Sequence, residues 1–137
     1  MREPISRVMI YSAFLASTCC RMVNRATPDL LALMDVGRIQ RAESEFRSSR
    51  GRYGSLQELG PAGAGLISAE LASGEHVSYR IDLSITEHGY VLRVRPVHWG
   101  SNTRRSYYSD ETQIVHESWT ENEATAQSPH LPMAQTP

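Results

Sequence analysis

Five histidines, His76, His88, His98, His116 and His130, are the first residues to weigh for chemistry. An imidazole gains a catalytic or metal-binding role when a second suitable group stands beside it, typically three or four residues away on a helix. No two of the five have that spacing, and none lies in a stretch of helical periodicity. They fall at strand ends, turns and the C-terminal stretch, where a histidine is ordinarily solvated. Serine is plentiful, but there is no Gly-x-Ser-x-Gly elbow to aim one as a nucleophile. Asp110 and Glu111 pair two carboxylates. As neighbours they cannot flank a scissile bond from opposite faces. Turn formation through the Asp side chain is the simpler role, and a weak calcium contact there would need further oxygen ligands. Arg104, Arg105, Tyr107, Tyr108 and Trp99 combine types that neutralise phosphate and stack on bases. On a strand, however, Tyr107 and Tyr108 point to opposite faces. The glycine-rich run from Gly60 to Gly65 lacks both a following Gly-Lys-Ser/Thr and a preceding strand, so it is not a phosphate cradle. These patterns point to a chain without a catalytic, cofactor or metal constellation, hence to a non-enzymatic protein.

Composition narrows the class further. The chain has 137 residues, of which 40% are hydrophobic, enough for one modest core. Fourteen basic residues, all arginine, face fifteen acidic ones, for a net charge of −1. An obligate nucleic-acid binder usually carries a clear basic excess, so no nucleic-acid partner is expected. The charge is unevenly placed: residues 1–52 carry nine Arg against five acids, and residues 53–137 carry five Arg against ten. Such asymmetry can orient neighbours in an assembly or near a membrane. The two cysteines are adjacent, Cys19 and Cys20, and build neither a disulfide framework nor a zinc finger alone.

Residues 1–20 read as a signal-like segment. MREPISR carries two arginines, and Val8 to Cys20 is 13 uncharged, mostly apolar residues. A positive start followed by a short apolar run suits a secretory signal better than a membrane span. Ala16, Ser17 and Thr18 precede Cys19, which makes Cys19 the candidate for lipidation. A buried helix or a misassigned start is the competing reading. An exported protein, associated with the membrane through this segment, is the expectation.

The domain proper is expected over residues 26–117. Thr27-Pro28-Asp29 is a helix start: a capping hydroxyl, a proline at the first helical position and an acid at the positive end of the dipole. The helix should run to about Ser49, with Gly51 ending it. Leu30, Leu33, Met34 and Gly37 share one face near its start, and Ile39, Ala42 and Phe46 share another. That rotation suggests either contact with two different things, the first face meeting a partner, or one irregular core contact. Short helical pieces follow at 55–59 and 66–72. From Val77 the period becomes two, giving strands from Val77 to Ile85 and from Tyr90 to Val97, then Arg105 to Ser109 and Gln113 to His116. The connections are short, so the sheet is antiparallel. The fold class is therefore α+β: one long amphipathic helix on a three- or four-stranded antiparallel sheet, with short helices in the connection. Periodicity ends near Glu117, and residues 118–137 read as a disordered tail in which Trp119 is a stray hydrophobe or a docking residue.

This order of elements resembles the type IV pilin-like fold. The stretch from Arg38 to Leu59, with Gly51-Arg52-Tyr53-Gly54-Ser55-Leu56-Gln57-Glu58-Leu59 at its end, looks like a pilin helix entering its head domain, as in type II secretion major pseudopilins. Leu66-Ile67, Ala72-Ser73-Gly74, Tyr79, Tyr90, Pro96 and Tyr108-Ser109-Asp110-Glu111 continue the pattern, which covers roughly residues 38–116. The N-terminal region departs from it: the pilin cleavage motif and continuous apolar helix are absent, and Asn24, Arg25, Thr27, Pro28, Asp29 and Asp35 interrupt the segment. The resemblance implies a pilin or pseudopilin-like cell-envelope protein acting through protein partners or self-association in a type II secretion or type IV pilus-like system. A stand-alone exported or lipid-anchored periplasmic binding module with a pilin-like head is the alternative.

Overall fold

The structure, a computed structural model, describes residues 27–100 and 103–132. The signal-like segment and Cys19 lie outside the described residues.

Helix α1 spans Pro28–Arg50. Thr27 caps it, its side-chain oxygen accepting from the Leu30 N–H, and Pro28 occupies the first turn. Gly51 ends it in the left-handed region at φ 73°, its N–H bonded to the Arg47 carbonyl, a conformation a side chain would disfavour. Two single-turn helices follow, α2 (Leu56–Leu59) and α3 (Ala69–Ala72). Ser55 and Glu58 form a capping box on α2.

Five strands complete the chain: β1 (Glu75–His76), β2 (Tyr79–Ile85), β3 (Tyr90–Pro96), β4 (Ser106–Asp110) and β5 (His116–Ser118). They form one antiparallel meander in the order β1-β2-β3-β4-β5. The α+β reading holds, with a sheet one strand wider than expected. The extra strand is β1, made possible by Val77 and Ser78. The alternation assigned both to β2, but they turn the chain at φ 45° and 67°. Positive φ at a β-branched residue is unfavourable, and neither residue carries the Gly or Asn signal of such a turn. The last strand begins later than expected because Gln113, at φ 64°, still belongs to the turn after Asp110.

The core lies between α1 and one face of the sheet. One stripe of α1, running through Ala32, Val36, Ile39, Ala42 and Phe46, is buried along its whole length. It packs with Tyr79, Ile81, Tyr90, Leu92, Val94 and Tyr107, and Leu59, Ile67 and Leu71 close the side. The buried stripe thus does not rotate. It contains Asp35 and Glu43, and these two acids disguise it as two partial stripes in the sequence.

The expected tail is folded as far as Pro132. Ala124 is buried, its N–H donating to Ser106 Oγ at 2.8 Å. The Glu117 N–H bonds the Pro129 carbonyl and the Leu131 N–H the Val115 carbonyl. Arg95 pairs with Glu123, and Leu131 packs against the core. The polar composition of this stretch hides the two apolar anchors that hold it. The folded part runs past residue 117 to residue 132; residues 133–137 lie outside the described residues.

Candidate functional site

Helix α1 carries two exposed apolar residues in its first turns, Leu30 and Met34. Its beginning is fixed by three contacts, one a cap of its own and two from the sheet. Thr27 caps the Leu30 N–H at 3.3 Å, the Tyr79 hydroxyl donates to the Asp29 carboxylate, and the Tyr107 hydroxyl donates to the Asp29 carbonyl at 3.1 Å. Burial and the neighbouring carboxylate push the Tyr79 hydroxyl's pKa far above its ordinary value, so it stays a donor. The helix start is therefore held rigidly while its outer face stays open.

On that face Leu30 and Met34 are exposed, at 49% and 45%. Leu33 is half-buried against the core. Gly37 is half-buried, and a methyl placed there would meet nothing within 4 Å. The four residues expected to form a contact face thus divide: Leu30 and Met34 project outward, Leu33 leans into the protein, and Gly37 leaves a shallow gap beside them.

Below this face is a polar cluster the sequence did not indicate. The Asp35 side chain is 1% exposed and accepts from two sides, Arg38 Nη1 at 2.8 Å and His76 Nδ1 at 2.5 Å. The other ring nitrogen, His76 Nε2, lies 3.2 Å from Glu70. A carboxylate-bound imidazole is half of a nucleophilic triad, but here its second nitrogen meets a carboxylate, not a hydroxyl or thiol. The cluster can clamp: the contacts of His76 with Asp35 and Glu70 join β1 to α1 and α3. Asp35 and His76 are 41 residues apart, a separation with no local signature. The only sequence-level hint is an acid three residues before an arginine on a helix.

A second unexpected acid lies farther along α1. Glu43 is fully buried, and its Oε2 accepts from the Gly54 N–H at 2.9 Å. Burial pushes its pKa up to about 7, against the lowering effect of the Gly54 bond. The Gly-Arg-Tyr-Gly stretch is explained at this corner. Gly51 supplies the left-handed cap. Tyr53 stacks edge-on against Tyr90 at 5.0 Å, with Arg47 over its ring. A Cβ on Gly54 would stand 2.9 Å from the Phe46 ring.

The polar flank of α1 is tied to the β4–β5 turn. Gln40 Nε2 donates to Ser109 Oγ at 2.7 Å and to the Gln113 carbonyl at 3.1 Å, and Gln113 Nε2 donates to Ser44 Oγ at 2.6 Å. In that turn Asp110 Oδ1 accepts from the Thr112 N–H at 3.0 Å and from its hydroxyl at 2.5 Å. Glu111 packs against Gly89. Among the described residues, no three His, Cys, Asp or Glu side chains are gathered as metal ligands.

The arginine–aromatic group is dispersed. Tyr107 is a core residue, Tyr108 meets His116 edge-on at 5.9 Å, and Arg105 lies 3.6 Å over the Trp119 ring. No described helix is long and apolar enough to cross a membrane. No protein-family model matches the sequence, and neither a curated protein nor a solved structure matches it.

Proposed function

We propose that the protein is a non-enzymatic, pilin- or pseudopilin-like component of the cell envelope that works through subunit or partner contacts in a type II secretion or type IV pilus-like system. One observation carries this reading. Helix α1 is sunk into the sheet along one stripe from Ala32 to Phe46, and the opposite side of its first turns carries Leu30 and Met34 to the outside. A helix clamped at its base with apolar residues left outward is suited to packing against another chain. The signal-like run from Val8 to Cys20, just upstream in the sequence, agrees with action outside the cytoplasm.

Fractionation of the native host, followed by intact-mass and peptide mass spectrometry, tests the reading. A mature N-terminus near Cys19 or Cys20, recovered with envelope proteins, is the expected result. An uncleaved Met1 in the cytosolic fraction would contradict it. A diacylglycerol on Cys19 with no co-fractionating protein partner would favour the lipid-anchored binding module instead.

A further inference from the structure

The two edges of the sheet are treated differently. At the β5 edge the chain returns from residue 128 to residue 131 and bonds the outer side, with His116 bridged to His130. At the other edge β1 is only two residues long, so it covers β2 at Tyr79 and Arg80, and Gly74 extends the cover to the Ile81 N–H at 2.8 Å. Beyond Ile81 the edge is open among the described residues.

The direction of the open groups follows from the register. Ser78 accepts from the Val97 N–H, and Thr86 donates to the Gly89 carbonyl, both at 2.9 Å. In an antiparallel pair, bonded and non-bonded residue pairs alternate, so Arg80, Asp82 and Ser84 bond β3, and Leu83 and Ile85 turn their N–H and C=O groups outward. Natural edges are usually protected by charge, proline or a bulge. Here the residues carrying the outward groups are a half-buried Leu83 and an Ile85 that is 45% exposed. Beside them, toward α2 and α3, is a hollow lined by Leu56, Gln57, Ser73, Gly74, Asp82 and Leu83.

We propose that this edge pairs with the same edge of a second copy, antiparallel about a two-fold axis at Ser84, joining two five-stranded sheets into one. Self-complementarity selects the occupant. With Ser84 opposite Ser84 as a non-bonded pair, Leu83 of each copy faces Ile85 of the other as a bonded pair. Each outward N–H and C=O of those residues then gains a partner, and the two apolar side chains cover each other on the core side. On the solvent face Asp82 falls opposite Thr86, so no like charges meet. Centring the pairing on Leu83 would place Ile85 against Ile81, whose N–H is already held by Gly74. The proposal concerns the sheet edge alone and does not depend on the envelope reading.

Cysteine crosslinking of the full chain, with Cys19 and Cys20 replaced by serine, tests it. Facing residues of a non-bonded antiparallel pair stand about 4.5 Å apart between Cα atoms, within disulfide reach. Ser84→Cys should form a disulfide dimer on mild oxidation, and Asp82→Cys should not, since its two copies lie far apart in this register. In sedimentation equilibrium the natural sequence should show a concentration-dependent dimer. Ile85→Pro, which removes one outward N–H without touching the β2–β3 ladder, should raise the dissociation constant about tenfold. A strictly monomeric chain, or crosslinking of Asp82→Cys equal to that of Ser84→Cys, would overturn the proposal. So would a monomer whose Leu83 and Ile85 amides resist hydrogen exchange, since a segment of the same chain would then hold the edge.

Discussion

The Gly54 N–H donates to the fully buried carboxylate of Glu43 at 2.9 Å, joining the middle of α1 to the turn that leads out of it. This bond sits in the apolar corner of Phe46, Tyr53 and Tyr90, with Glu58 adding repulsion from nearby. Burial raises the Glu43 pKa to about 7 from an ordinary 4.5. Between those values the folded protein holds a proton that the unfolded chain releases. Stability should therefore fall as pH rises through this window, by about 3 kcal/mol, and level off above it. Glu43→Gln keeps an acceptor for Gly54 and removes the charge. Urea titrations from pH 4.5 to 8 should show the slope in the natural protein and a flattened one in the variant.

Gly54→Ala should destabilise by about 1–3 kcal/mol, the usual range for overpacking. The added methyl would stand 2.9–3.1 Å from three carbons of the Phe46 ring. Chemical denaturation measures it; a neutral substitution would mean that the ring has room to move.

Phe46→Ala should cost roughly 3–5 kcal/mol, because the ring is wholly buried between α1 and the sheet. The midpoint of denaturation should drop with little change in slope.

The elements were legible where one residue type carries one physical role. Thr27, Pro28 and Asp29 announce the start of α1 and Gly51 its end; the alternation from Tyr79 to Ile85 announces β2. The legible part stops where two distant residues share the work. Asp35 and Glu43 interrupt the apolar stripe of α1 and made one buried face look like two. Their partners, His76 and Gly54, are 41 and 11 residues away, beyond any periodicity. The hairpin at Val77-Ser78 uses residues that disfavour its backbone. Of the four residues expected to share a face, Leu30 and Met34 project outward while Leu33 leans into the core, a division set by the sheet beneath and not by helical spacing.

Truncation after Glu117 should now lower stability, contrary to what the polar composition of that stretch suggests. It removes buried Ala124, the packing of Leu131, the Arg95–Glu123 pair and the Pro129 carbonyl that accepts from the Glu117 N–H. A loss of about 2 kcal/mol is expected from the apolar burial and backbone bonds together. Thermal unfolding should show the chain ending at residue 117 melting several degrees below the full chain.

The central claim is that the first turns of α1 meet another protein in the envelope. A photo-crosslinking amino acid placed at Met34, with the same probe at the exposed Asn122, beyond β5 at the far edge of the sheet, as the control, tests it in the native host. The account predicts a discrete adduct from Met34 with an envelope protein or a second copy, and none from Asn122. Equal labelling from both positions, or no adduct from Met34 in cells that carry the protein at its natural level, would contradict it.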